Sequence, residues 1–254
     1  MIELYILASV VIVSLISIVF AMPYFMKRKI PKSSLLFILS VSVGVLLSTV
    51  FIDFLPEITS HKYTLGLALS ILLGFLVMFI LEKFIHSQHK EMHVAHHGHG
   101  HAYHVAPMNV IGDAVHNFLD GLVIAGSYAV SIPLGLAATV SIIFHEIPQE
   151  IADFGVLLYS GWSKKKALFF NFLSAITAVF GAIVGMVLVG QMQGFTSFII
   201  PFAAGNFIYI AASNLVPQLH HDCSLKDSIL HVCGIVVGIA VIVVITLYGP
   251  AHGH

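Results

Sequence analysis

Eight stretches of this 254-residue chain are apolar over the length needed to cross a bilayer, and that repetition fixes the fold class before any motif is read. They run near residues 2–25, 33–55, 64–85, 108–131, 133–160, 167–190, 195–216 and 228–249. A hydrocarbon core about 30 Å thick takes roughly 20 helical residues to span. Inside lipid each backbone N–H and C=O must be satisfied within its own segment, which makes these runs helices. Charged residues are only 9% of the chain, against about 25% in a soluble protein. The sequence therefore predicts an all-α integral membrane protein with eight transmembrane helices. A single transmembrane domain is expected over residues 1–254, embedded in the lipid of a cell membrane. With a net charge of −1, nothing points to nucleic acid as a partner.

The basic residues orient the bundle. Lys27, Arg28, Lys29 and Lys32 follow the first run, Lys83 and Lys90 the third, Lys164, Lys165 and Lys166 the fifth, and Lys226 the seventh; only Lys62 falls in the opposite set. Cytoplasmic connections collect Lys and Arg, so these four connections face the cytoplasm and both termini lie outside. The first run has Glu3 and no basic leader before it, which reads as a retained anchor. Two cysteines, Cys223 and Cys233, make no disulfide framework.

Two ionisable clusters interrupt the apolar pattern: His116 to Gly121 (HNFLDG) in the fourth run and His145 to Asp153 (HEIPQEIAD) in the fifth. A carboxylate at the bilayer centre costs about 2.5–3.5 kcal/mol even on a lenient scale. These runs hold Asp113, Asp120, Glu146, Glu150 and Asp153. Residues three and four apart share a helix face. Asp113, His116, Asn117 and Asp120 thus form one polar stripe, and His145 with Gln149, Glu146 with Glu150, then Asp153, form another. Imidazole, carboxylate and amide together suit Zn²⁺ and neighbouring divalent ions such as Mn²⁺, Fe²⁺ or Cd²⁺; a Ca²⁺ site would be all oxygen. The expectation is a metal site between spans four and five, with Asp53, Asp113 and Asp153 as further pathway residues.

Pro148 removes a helical hydrogen bond and frees the carbonyl of Phe144, which widens the second cluster beside a cation path. HEIPQ shares its first two letters with the HExxH zinc-protease motif. Gln149 stands where the second His is needed, so the chain is not read as an enzyme. Asn171, Asn206 and Asn214 each require a partner or a wet path. Gly181 and Gly185, with Ser174 and Thr177, read as a close-packing face.

The third connection, residues 86–107, carries eight His in the stretch from His86 to His104, with Gly98 and Gly100 among them. It is predicted to be a flexible cytoplasmic loop in which His93, His96, His97, His99 and His101 bind metal transiently.

At these residues the chain resembles the ZIP (Zrt/Irt-like) divalent metal transporters, with a signature like that of their LIV-1-type branch. HEIPQEIADF is similar to that branch's HExPHExGDF, while FLPEI (Phe54 to Ile58) and IYIAASNLVPQ (Ile208 to Gln218) are similar to other recurring segments. The resemblance implies import of Zn²⁺, or a similar ion, into the cytoplasm by a protein that often works as a homodimer. It implies one ion held by His116, Asp120, His145 and Gln149. It places Asn117, Glu146 and again Gln149 at an adjoining second site, with Glu150 nearby. Gln149 replaces the family's second His, and no acid stands near Ala178 in the sixth run. Two alternatives share the His-rich loop and the intramembrane pairs: a cation-diffusion-type metal exporter, which expects six spans and a soluble tail, and a membrane metal sensor.

Overall fold

In a computed structural model, the backbone is described for residues 1–25, 32–60, 64–94, 102–219 and 224–248. These residues form eight helical rods and contain no strand. They are α1 (Ile2–Phe25); α2 (Lys32–Ser48, Thr49–Phe54, Leu55–Ser60); α3 (Leu65–Val94); α4 (Ala102–Val130); and α5 (Ile132–Tyr159). The remaining three are α6 (Lys164–Ala175, Thr177–Gln191), α7 (Phe195–Ile208, Tyr209–Leu215, Val216–Leu219) and α8 (Leu225–Tyr248). Five stretches are long and apolar enough to cross a membrane: Ser33–Ser60, Leu65–Lys83, Lys164–Gln191, Phe195–Leu219 and Asp227–Tyr248. Neither α4 nor α5 is among them, because these rods carry the ionisable clusters that lower their hydropathy.

Each rod closes by local chemistry. Ser131 is the single residue between α4 and α5, and its hydroxyl caps α5 by accepting from the Leu134 N–H, with Pro133 in the first turn. Such a connection leaves α4 and α5 side by side and antiparallel. Ser163 caps α6 in the same way, through the Lys166 N–H. α2 and α7 each contain a wide π turn, Thr49–Phe54 and Tyr209–Leu215. A proline follows closely in both, Pro56 and Pro217. Proline cannot donate to, and collides with, the carbonyl four residues back, and a wider turn relieves the collision.

The packing repeats itself. α4 packs on α6, α5 on α1, α2 on α8 and α3 on α7. Exchanging α1 with α6, α2 with α7, α3 with α8 and α4 with α5 returns the same set of neighbours. That is the pattern of two inverted halves with α4 and α5 at their junction. Glycines let the paired backbones touch. Gly44 and Gly238 serve α2 and α8, Gly74 and Gly205 serve α3 and α7, and Gly121 and Gly181 meet the carbonyls of Ala178 and Phe118 between α4 and α6. The packing face expected from Gly181 and Gly185 is therefore present.

The connection expected as a loop over 86–107 is helical at both ends. α3 continues to Val94 and α4 begins at Ala102. His96, His97, His99 and His101 lie outside the described residues, and His93 stands on the last turn of α3.

Candidate metal centre

Four side chains converge between α4 and α5. His116 and Asp120 project from one turn of α4; His145 and Glu146 come from α5. All four are buried. His116 Nε2 lies 3.2 Å from His145 Nε2, 3.2 Å from Glu146 Oε1 and 3.6 Å from Asp120 Oδ2. His145 Nε2 lies 3.2 Å from Asp120 Oδ2 and 3.7 Å from Glu146 Oε1. A tetrahedral Zn²⁺ with ligands at about 2.0–2.1 Å has ligand–ligand edges of about 3.3 Å. Five edges of this constellation match that figure to within about 0.4 Å.

The polar accounting points the same way. Asp120 Oδ2 and Glu146 Oε1 are buried and have no hydrogen-bond partner. Leaving a buried charged acceptor unpaired is costly, and a cation at the centre of the four would satisfy both. The imidazole of His145 is already set for coordination. Its Nδ1 lies 3.0 Å from the Ser141 carbonyl, which only accepts, so Nδ1 carries the proton and Nε2 presents a lone pair to the site. The Phe207 ring packs against His145 with centroids 5.9 Å apart, and Phe54 backs Phe207 at 5.5 Å.

A second polar group is built around Asp113, one turn before His116. Asp113 Oδ1 accepts from Asn117 Nδ2 at 2.9 Å and from Gln149 Nε2 at 3.3 Å, and Oδ2 accepts from Ser174 Oγ at 2.5 Å. Glu150 accepts from the amide of Asn171 on α6. The sixth rod thus supplies an amide and a hydroxyl where an acid is missing from its sequence. Ser174, read from the sequence as packing, is a hydrogen-bond donor to this group.

The sequence-predicted residues therefore separate. His116, Asp120, His145 and Glu146 meet. Gln149 gives its amide nitrogen to Asp113, and Glu146 approaches the two imidazoles. Asn117 and Glu150 face Asp113 and Asn171. Asp153 accepts from Asn109 Nδ2 at 3.0 Å. Asn109 belongs to the α4 stripe, four residues before Asp113, and its spacing was the signal available for it. Asp53 sits in the π turn of α2 and accepts from Thr246 Oγ1 at 2.8 Å, which ties α2 to α8. The carbonyl freed by Pro148 is also taken: Ser42 Oγ of α2 donates to the Phe144 oxygen at 2.6 Å. The carbonyl that Pro148 frees is therefore hydrogen-bonded rather than bare.

A cavity of about 290 Å³ reaches the site. Its wall contains His116, His145, Pro148 and Gln149 at one end, and Asn109, Asp153, Glu82 and Gln218 toward the ends of the rods that flank the His-rich connection. A second cavity, of about 270 Å³, lies at the opposite end of α3, α4 and α7, beside Glu57, Thr64, Val130 and Thr196. Neither cavity is lined by Asp53.

Fold and site together define an all-helical membrane protein with a buried His/Asp/Glu constellation, of a kind that could hold a cation, between two antiparallel rods. The family model described as ZIP zinc transporter matches residues 2–107 and 86–246, and the chain belongs to this family. It is similar to IAA-alanine resistance protein 1 of Arabidopsis thaliana, 40% identical over 144 residues, or 55% of this chain and 30% of that protein. It is also similar to zinc transporter ZIP10 of Homo sapiens, 31% identical over 187 residues, or 66% and 22% of the two chains. With the zinc transporter ZIP13 homolog of Drosophila melanogaster it is 38% identical over 143 residues, or 55% and 40%. The matches span less than half the length of each of these relatives.

Proposed function

We propose that this protein carries divalent metal ions, zinc foremost, across a cell membrane into the cytoplasm, with Mn²⁺, Fe²⁺ and Cd²⁺ as competing cargo. The observation that carries the reading is the convergence of His116, Asp120, His145 and Glu146, with two buried carboxylate oxygens that no hydrogen bond satisfies. Family membership favours an importer over the cation-diffusion exporter, and the cavity beside the site suits a carrier better than a closed sensor.

In this reading all eight rods cross the membrane as one domain, residues 1–254, with both termini outside. The His-rich segment within 86–107 then lies in the cytoplasm, where His93, His96, His97, His99 and His101 receive ions. Gln149, Asn117 and Glu150 stand next to the coordinating four. The cavity past Asp153 and Asn109 is the cytoplasmic route, and the aromatic pair Phe207 and Phe54 closes the outer side of His145. Asp53 acts in packing beside Thr246. A second copy of the chain is a reasonable neighbour in the membrane.

The test is uptake of radiolabelled zinc into vesicles of known orientation. Inward flux is expected for the native chain, with a fall to background in His116→Ala and His145→Ala. Outward flux, or inward flux unchanged by both substitutions, refutes the importer. Competition by manganese, iron and cadmium ranks the cargo.

A further inference from the structure

We propose that the first turn of α6 binds the headgroup of an anionic phospholipid through Lys165 and Lys166, with the acyl chains laid along the exposed apolar stripe of the same rod. This site requires the rods to stand in a bilayer; it goes beyond metal carriage and does not depend on it.

The two faces of α6 differ. Ala167, Asn171, Ala178 and Gly181 are buried on one, and Gly181 meets the backbone of α4 at Phe118. Phe169, Leu173, Phe180, Val184 and Val187 are exposed on the other. Residues three and four apart share a helix face, so this apolar stripe continues back from Phe169 to Lys165 and Lys166. Both lysines are exposed. Their ammoniums therefore stand at the head of the side of the rod that faces lipid. Half of a hydrocarbon core about 30 Å thick is about ten helical residues, the stretch that Phe169, Leu173 and Phe180 cover.

The aromatic residues set the depth. Trp162 is the one tryptophan of the chain, and Lys166 Nζ lies 4.0 Å from its ring centroid. The indole packs on Phe170 with centroids 5.0 Å apart, and Phe170 meets Phe169 at 5.4 Å. Tryptophan collects at headgroup level in membranes, which brings the neighbouring ammoniums within reach of lipid phosphates.

Charge identifies what is missing. Lys164, Lys165 and Lys166 occupy the first helical turn, where the helix dipole disfavours cations. No acid stands in that turn, and among the described residues no carboxylate pairs with Lys165 or Lys166. The Ser163 hydroxyl engages one backbone N–H of the turn, that of Lys166. An anion from outside the chain relieves this excess. A lipid phosphodiester brings the charge together with acyl chains that cover the stripe below it, whereas a free phosphate leaves the stripe bare. Anionic lipid is favoured by about fivefold per ammonium near the surface.

Trp162 makes the test local. The purified full chain is reconstituted in phosphatidylcholine vesicles that contain either brominated phosphatidylglycerol or brominated phosphatidylcholine, whose bromine quenches a tryptophan that it touches. For the native chain, the ratio of the two binding constants at Trp162 is expected to be about 25, from two ammoniums. Lys165→Gln lowers the ratio about fivefold, and Lys165→Gln/Lys166→Gln brings it close to unity. Lys165→Arg/Lys166→Arg keeps it, as does Lys83→Gln on α3. Each ratio compares two lipids on one variant, so loss of the Lys166–Trp162 contact cancels. A native ratio below about threefold, a double Gln variant with the native ratio, or a Lys83→Gln loss as large as that of Lys165→Gln overturns the proposal. Absence of quenching by either lipid does the same. So does inorganic phosphate that abolishes the preference where chloride of equal ionic strength does not, since that marks a free-phosphate site. A chain that carries no zinc refutes the carrier and leaves the quenching result standing.

Discussion

Replacing Glu146 by Gln separates the geometry from the motif. The family pattern assigns the fourth coordinating place to residue 149, whereas the site proposed here gives it to Glu146, whose Oε1 lies 3.2 Å and 3.7 Å from the two imidazole nitrogens. Asp120 Oδ2 stands at nearly the same distances in the opposite order, 3.6 Å and 3.2 Å. In the proposed site the two carboxylates are therefore equivalent, and Glu146→Gln and Asp120→Asn should lose the same amount. Removing one partner of a buried, hydrogen-bonded charge pair costs about 2–5 kcal/mol. At 1.36 kcal/mol per decade this lowers tight-site zinc affinity by about 30-fold at least and by a few thousand-fold at most. Gln149→Ala leaves all four ligands in place, so its tight-site affinity should fall less than tenfold. Chelator-competition titration of the purified protein reads these numbers directly. Thermal unfolding provides a second reading: a hundredfold loss removes about 2.7 kcal/mol of zinc-dependent stabilisation at saturating metal. Glu146→Gln that binds within threefold of the native chain, or Gln149→Ala that loses more than Glu146→Gln, refutes the assignment.

Two further predictions concern the frame around the site. Ser42→Ala leaves the part-buried Phe144 carbonyl, freed by Pro148, without its donor; an unsatisfied acceptor there should cost about 1 kcal/mol, the lower end of the range for a fully buried group, read as a lower unfolding midpoint in detergent. Within α6, Gly181→Ala drives a methyl into the Phe118 carbonyl and should cost about 1–3 kcal/mol, whereas Gly190→Ala, with open space around it, should be neutral or stabilising by about 0.5–1 kcal/mol.

The rods were legible in the sequence because lipid demands long, uninterrupted apolar helices; each of the eight apolar runs has its rod, with the largest departures where α3 continues to Val94 and α4 begins at Ala102, past the apolar runs. The site was half legible. Helical spacing placed Asp113, His116, Asn117 and Asp120 on one face of α4, and they do share it. Spacing says nothing about which group on one helix faces which on its neighbour. Hence Asp113, marked only as a pathway residue, emerges as the acceptor for three rods, and Ser174 and Ser42, small and inconspicuous in the sequence, each complete a polar group. The π turns of α2 and α7 left a trace in Pro56 and Pro217. A proline alone does not distinguish a kink from a widened turn, since the outcome depends on how neighbouring helices accept the freed carbonyl.

The choice of Glu146 over Gln149 follows from how the two halves of the bundle meet. α4 and α5 exchange under the inverted repeat, and the His116 and His145 nitrogens, 3.2 Å apart, lie at their junction. A strictly repeated site would use His and the residue four further on in each rod, which gives Asp120 on α4 and Gln149 on α5. α5 departs from the repeat by carrying Pro148 between His145 and Gln149, within a helix that runs unbroken from Ile132 to Tyr159. Gln149 is instead held by Asp113, and Glu146, the residue next to His145, supplies the second carboxylate. A two-carboxylate, two-imidazole set can neutralise a divalent cation fully, which one carboxylate and an amide cannot. Under the proposed metal-carrier reading, the asymmetry favours tight capture at the junction.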